Sequence, residues 1–474
     1  MPKTEKTAPA DAKQKDNTKT QTPIVSAIGP SGEIIETVFD THKERAQLAV
    51  WKDGHAHVLD QYCPSGGERF VPARSAAALV EHNVLRFAQA PMSYGSIADL
   101  VDAIRAYIHK YVDVSEAFER LSANYVLFTW VHDRFNELPY LRRRGDYGTG
   151  KTRFLTVVGS ICYKPIFAGG ASTTSPIFHL LDQVAGTLVI DEADFRFSDE
   201  SALIAKILNA GNVKGYPVLR SVSTNGKDYR PRAFKVFGPK IVGMRGRYDD
   251  PALESRFLTE TSSNPSIRKD IPINLPSEQE ADASVLRNKL LLYRFENFHR
   301  FGAPKPIDTA LYAIEPRMHQ ILAPLLSVAE DETDREAILA HASAAQTALA
   351  EARGQTLEAE VLTVIKKQMS LESGPGVSVQ AIANDHGRAF QDQTTKALSP
   401  RAMGHVLRTR LNLKTTKSHG VFIVPKLQGD VLERLYARYS VSGEDVAILA
   451  ERLGETSRLD FGDVGEEAGK VVAA

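Results

Sequence analysis

Two cysteines, Cys63 and Cys162, are all that 474 residues contain, which excludes a disulfide scaffold and any zinc site built from several cysteines. Net charge is absent as well. The 58 lysines and arginines cancel 58 aspartates and glutamates, so any hold on a polyanion must come from local patches. No apolar run reaches the roughly eighteen residues of a membrane span, and the N-terminus lacks an apolar signal core. The cytosol is therefore the expected compartment, with no membrane partner. Thirteen histidines fall without metal-ligand spacing, and no Gly-x-Ser-x-Gly elbow occurs. What is present, 43% hydrophobic and 24% charged residues over this length, suits two to four globular domains.

Residues 1–23 are lysine-rich and nearly free of large apolar side chains, so they read as a disordered tail. Residues 24–90 carry short alternating runs (Ile24–Ile28, Ile34–Phe39, Gln47–Trp51 and His55–Leu59) and read as a small antiparallel unit. Helical spacing begins near Ile97, and a second apolar helix is expected from Ser115 to Phe135. Strands then alternate with helices through 91–275, the signature of a parallel α/β sheet. A mostly helical, lid-like region follows over 276–355. A helix–helix–ribbon pattern fills 356–440, and a C-terminal helix with an acidic tail closes the chain over 441–474.

Chemistry concentrates at Gly145-Asp146-Tyr147-Gly148-Thr149-Gly150-Lys151-Thr152, which fits GxxxxGK[ST]. Glycines let the backbone aim several N–H groups at phosphate oxygens, and the following helix N-terminus favours negative charge. Lys151 is expected on the β- and γ-phosphates of ATP, and the Thr152 hydroxyl on Mg²⁺. Downstream, Gly186–Ile190 forms a β-branched strand ending in carboxylates. Asp191 suits the Mg²⁺ shell, and Glu192 suits polarising an attacking water. Arg142-Arg143-Arg144 crowd the strand before the loop, where buried apolar residues are usual, and read as an edge or a basic rim.

Asp191-Glu192-Ala193-Asp194 spells the DEAD box, but only 40 positions separate Lys151 from Asp191, far fewer than in DEAD-box RNA helicases. The chain resembles instead the AAA+ ATPases, on the branch of minichromosome-maintenance and viral superfamily-three helicases. The resemblance rests on a helix at Ser201–Ala210, a β-hairpin over Tyr216–Val236 turning at Asn225-Gly226, and a strand at Pro239–Gly243. It rests also on Ser255-Arg256-Phe257, which is similar to their arginine-finger motif. The stretch from about Tyr94 to Leu325 further resembles uncharacterised ATPases of phage and mobile-element replication modules. Phe128-Thr129-Trp130, Tyr140-Leu141, Ala193-Asp194 and Pro316-Arg317 carry that likeness. It implies a P-loop ATPase in a homo-oligomeric ring, a hexamer, with Arg256 completing a neighbour's ATP site; an ion pair with Glu254 is the plainer alternative. Arg317 is a weaker candidate, for a second sensor. The pattern is broken once. Gly243-Met244-Arg245 stands where these relatives carry a sensor asparagine.

Two stretches suit DNA. Lys227, Arg230 and Arg232 follow the hairpin turn, and in a ring such hairpins grip a single strand in the pore. Helix, helix and ribbon over 356–440 is the pattern of a winged helix, with Arg401, Arg408, Arg410, Lys414 and Lys417 and no acid between Ser399 and Gly420. Duplex is its expected partner. The combined expectation is a DNA translocase or helicase of a phage, plasmid or other mobile element. The alternative is an ATP-gated DNA-binding switch or loader.

Overall fold

The computed structural model describes residues 21–64, 68–73, 76–170, 172–193, 199–223, 229–248, 250–262, 268–302, 315–354, 356–371, 374–390 and 397–454. Two units divide the chain, Met1–Ser343 and Ala344–Ala474. In the first unit, a five-stranded parallel sheet holds β1 (Tyr140–Gly145), β2 (Ile166–Ala168), β3 (Leu188–Ile190), β4 (Lys240–Met244) and β5 (Phe257–Ser262). Its spatial order is β5-β1-β4-β3-β2. Buried residues Leu141, Val189, Ile241 and Leu258 fill its middle, as both-face burial of a parallel sheet demands.

Helices cover the sheet: α1 (Ile97–Tyr111), α2 (Glu116–Thr129), α3 (Lys151–Ser160), α4 (Thr174–Val184), α5 (Asp199–Ala210) and α6 (Glu278–Asn297). Ser96 starts α1 with a reciprocal capping box to Asp99. Helix α2 ends at Thr129, short of the expected Phe135. There the chain turns so that the His132 ring bonds the Thr129 carbonyl at 2.8 Å and Asp133 meets Arg294.

Residues 24–90 are not a separate domain. Four antiparallel strands, Ser26–Ile28, Ile34–Asp40, Arg45–Lys52 and His55–Leu59, form their sheet. Glu36, buried in the second of them, bonds Lys164 Nζ at 2.5 Å, Arg294 Nε at 2.7 Å and the Tyr163 hydroxyl at 3.0 Å. Arg294 also forks onto Asp133 at 2.9 and 2.8 Å. Asn288 of α6 accepts the Gln89 N–H at 2.7 Å. These partners join the strands, the sheet and the first helix of the lid-like region into one unit. The tail is also shorter than expected, because Gln21–Ile24 pairs in parallel with Arg69–Pro72. The division at 343/344 replaces the expected one at 355/356, and it falls inside one helix, Glu332–Gly354.

The second unit runs helix Leu357–Leu371, strand Gly376–Ser378, helix Val379–Phe390, helix Pro400–Thr409, then strands Thr416–Ser418 and Val421–Pro425. Its sheet is antiparallel, and the last two strands are joined by His419 (φ 47°) and Gly420 (φ 86°), a two-residue turn with both φ positive. Two further helices, Gly429–Arg438 and Gly443–Arg452, finish it. The second occupies part of the stretch read as helix plus acidic tail; residues 455–474 lie outside the described residues, as do residues 1–20 of the expected N-terminal tail. No described helix is long and apolar enough to cross a membrane.

Burial makes His132 acid-sensitive. Packed against Tyr163 and Phe237, its imidazole is pushed down to about 4, because the charged form would lose its water. The folded pKa lies below the ordinary 6.5, so this stability is present above pH 6.5 and is lost as pH falls toward 4. About 3 kcal/mol is at stake. Melting followed from pH 7 to 4 should show a shallower decline in His132→Asn than in the parent; parallel declines would clear His132 of the effect.

Candidate active site

At the C-terminal end of β1 the chain turns through the phosphate loop into α3. Gly148 and Gly150 adopt φ of 72° and 78°, which side chains disfavour, and Gly150 caps α3. The first amides of α3 thus open toward the loop, where an anion gains from the helix dipole. Lys151 Nζ donates to the carbonyls of Gly145 (2.8 Å) and Asp146 (2.6 Å), so a phosphate oxygen in the loop would compete for the same ammonium. Thr149 closes the turn on the Asp146 carbonyl at 2.8 Å.

The carboxylate strand lies two places away, beyond β4. Thr152 donates its hydroxyl to Asp191 Oδ2 at 2.6 Å, and the Glu192 N–H bonds Asp191 Oδ1 at 2.9 Å. Room for this clamp comes from β4: a Cβ on Gly243 would stand 3.0 Å from Asp191 Oδ1 and 2.7 Å from Leu155 Cδ1. Glu192 takes φ 56°, a left-handed conformation that costs a side chain about 1 kcal/mol. The strand therefore breaks at Glu192, whose side chain is exposed. Hydroxyl plus carboxylate is an oxygen donor pair that fits Mg²⁺ bound also to phosphates. Asp194 lies outside the described residues.

Arg256 sits at the other edge of the same sheet. Its carbonyl accepts the Tyr140 N–H at 2.9 Å, at the start of β1, about 16 Å along the strand from the loop. The guanidinium, half-buried, donates to Asn209 Oδ1 and to the Leu208 carbonyl. Burial lowers its pKa, and the charge of Arg317 acts in the same direction. The alternative pairing with Glu254 does not occur. Glu254 is held bidentately by Arg142, at 2.5 and 2.7 Å. That pair, with Arg143 bound to Glu260 at 2.5 Å, corrects the reading of the arginine run as an edge or rim: β1 is flanked on both sides, and its cations are matched by acids from β5 and the helix before it.

The hairpin pairs Val218–Ser223 with Tyr229–Phe234; its turn and Lys227 lie outside the described residues. Register sets Arg220 opposite Arg232 and Val222 opposite Arg230, on the face shared with Val218 and Phe234. That face packs on α4. Arg232 bonds Asp182 at 3.2 Å, and Arg220 covers the Phe178 ring at 4.6 Å. The opposite face holds Leu219, Ser221, Ser223, Tyr229 and Pro231, with Leu219 and Tyr229 both 71% exposed. Arg232 is thus turned toward the body of the unit, while Arg230 remains exposed.

In the second unit, helix Pro400–Thr409 buries Met403, Val406 and Leu407 and leaves Arg401 and Arg408 exposed. Lys414 and Lys417 are exposed as well, on the turn and first ribbon strand. Arg410 is exposed but spends one N–H on Glu358 at 3.1 Å. A residue that motif reading passed over is Arg245, at the tip of β4. Its guanidinium lies 3.5 Å from the centre of the Tyr147 ring, inside the phosphate loop. The sequence signal was there, as the arginine in Gly243-Met244-Arg245.

No family model matches the chain, and no curated protein matches it. Among solved structures it is similar to the NrS-1 C-terminal region, at 10% identity over 82% of this chain and 97% of that one, with a TM-score of 0.36. It is similar also to a full-length MCM homolog from Methanopyrus kandleri, at 11% identity over 66% and 76%, TM-score 0.32. A third is the Aeropyrum pernix Orc1 protein in complex with DNA, at 14% identity over 70% and 96%, TM-score 0.20. At such identities and scores these neighbours carry no chemistry, which comes from the chain's own residues.

Proposed function

We propose that the chain is an ATP-hydrolysing DNA translocase of the AAA+ kind, a helicase that works as a homo-oligomeric ring in replicating a phage, plasmid or other mobile element. One observation carries the reading. Lys151, Thr152, Asp191 and Glu192 meet at one edge of the sheet, while Arg256 stands at the opposite edge, where only another copy's nucleotide can meet it. Lys151 and the α3 amides hold the phosphates, Thr152 and Asp191 hold the metal, and Glu192 orients the attacking water. Mg²⁺, when bound, neutralises charge on the transferring phosphate. A neighbour's Arg256, permanently charged and forked, completes the site.

The helix–strand–helix–helix–strand–strand order of the second unit supports a winged helix, with Pro400–Thr409 as its recognition helix. Reversing Arg401, Arg408 and Lys417 to glutamate together should weaken duplex binding at least tenfold and flatten its salt dependence, with hydrolysis without DNA retained. Duplex affinity equal to the parent in a fluorescence-anisotropy titration would remove this face from DNA binding.

A second reading, an ATP-gated switch or loader, draws support from the hairpin, whose outward face carries no charge among the described residues. Forked-duplex unwinding separates the two. ATP-dependent strand separation by the parent, lost in Glu192→Gln, favours the translocase. Nucleotide-dependent duplex binding without separation favours the switch.

A further inference from the structure

Three neighbouring strands end together at the site, and each delivers one functional element. The phosphate loop follows β1 and Asp191 follows β3, while β4 runs between them and ends at Arg245. Register fixes the level: Met244 lies beside Arg144, so Arg245 emerges level with Gly145, the first loop residue. On the other side, Gly243 lies directly under the Asp191 carboxylate. Arg245 therefore leaves the sheet between the loop and the metal-holding acid, at the strand ends where open parallel sheets take their ligands.

Its contact with the Tyr147 ring is weak. Tyr147 is 77% exposed, and an exposed cation–π pair is a shallow well compared with a charge-assisted bond to phosphate. Tyr147 also belongs to the loop itself, so the ring moves with whatever the loop binds. An arginine fork suits a phosphoryl group, offering parallel N–H donors and a charge that is never lost.

We propose that Arg245 is a terminal-phosphate contact of this site, which exchanges the Tyr147 ring for the γ-phosphate of a nucleoside triphosphate. The proposal rests on the nucleotide-site reading above and adds to it a residue that distinguishes triphosphate from diphosphate. Only the γ-phosphate lies far enough along the chain of phosphates to meet a group placed between Lys151 and Asp191.

The test compares the full-length parent, Arg245→Ala, Arg245→Lys and Lys151→Ala by calorimetric titration with ADP and with a non-hydrolysable ATP analogue. Arg245→Ala should bind the ATP analogue roughly 10- to 100-fold more weakly, keep its ADP affinity within about twofold, and lose hydrolysis by at least the same factor. Arg245→Lys should recover part of the loss. Tyr147→Trp adds an optical readout: its emission should change with the ATP analogue, not with ADP, and Arg245→Ala should abolish that difference. Equal weakening for both nucleotides would mean that Arg245 merely supports the loop, and no change in either affinity or turnover would leave it a surface contact of Tyr147; both results overturn the proposal. A parent that binds neither nucleotide, or Lys151→Ala binding both as the parent does, sinks the nucleotide-site reading and this proposal with it. When the parent binds both and Lys151→Ala loses them, the nucleotide site stands, and the Arg245 variants alone decide the proposal.

Discussion

Arg256→Ala should cut steady-state ATP hydrolysis by about 10³-fold or more while leaving nucleotide binding within a few fold. The binding groups of the same copy stand at the far edge of the sheet, so removing Arg256 takes nothing from them. What disappears is the charge offered to the neighbour's transition state. Mixing makes the test decisive. Glu192→Gln lacks its own water-orienting carboxylate but keeps Arg256; Arg256→Ala keeps Glu192 but lacks the cation. Each is inactive alone, and a mixture should regain measurable turnover, because some interfaces then join an intact Glu192 to an intact Arg256. A mixture as inactive as its components, in assemblies shown to exchange copies, would end the shared-site reading. Undiminished hydrolysis by Arg256→Ala alone would do the same.

Arg294→Ala should destabilise the first unit by about 3–5 kcal/mol, the usual result of removing one partner from a buried ion pair. Arg294 is almost fully buried and serves two acids, Glu36 in the N-terminal sheet and Asp133 after α2. Burial alone would raise the Asp133 pKa, but the guanidinium outweighs it and holds the carboxyl well below the usual carboxylate range. Without Arg294, both carboxylates remain in a low-dielectric site with one fewer cation, and Lys164 is left to serve Glu36. Urea unfolding followed by tryptophan emission measures the loss, since the Trp130 carbonyl accepts a hydrogen bond from the same guanidinium. A midpoint equal to the parent's would show the network to be dispensable. If Arg294→Ala yields no soluble protein, Glu36→Gln keeps the shape and removes one charge, and should fall between the two.

What could be read from the sequence follows how local each feature is. The phosphate loop is eight consecutive residues whose glycines and lysine mean the same thing wherever the chain goes next. Asp191 and Glu192 follow a β-branched run whose length and end are visible without any partner. Arg142 was opaque for the opposite reason: its acid, Glu254, arrives from 112 positions away, through the crossing of β5 to the far side of β1. Glu36 was the same kind of signal, a lone carboxylate inside Ile34–Val38, with its partner 258 positions distant. The hairpin shows a third limit. A period of two puts Arg230 and Arg232 on one face and Tyr229 and Pro231 on the other, but both faces are partly apolar, so alternation alone did not say which one packs on α4.

The first strand of the central sheet has a mechanical consequence. At one tip it carries the loop that would grasp a triphosphate; at the other its backbone is tied to Arg256. Midway, the buried pairing of Arg142 with Glu254 locks it to the turn from which that arginine projects. Packed interiors compress little, so such a strand behaves as a stiff rod. A tug at the occupied end is felt by whichever copy leans on the other, and firing order around an assembly would then be a matter of leverage rather than chance.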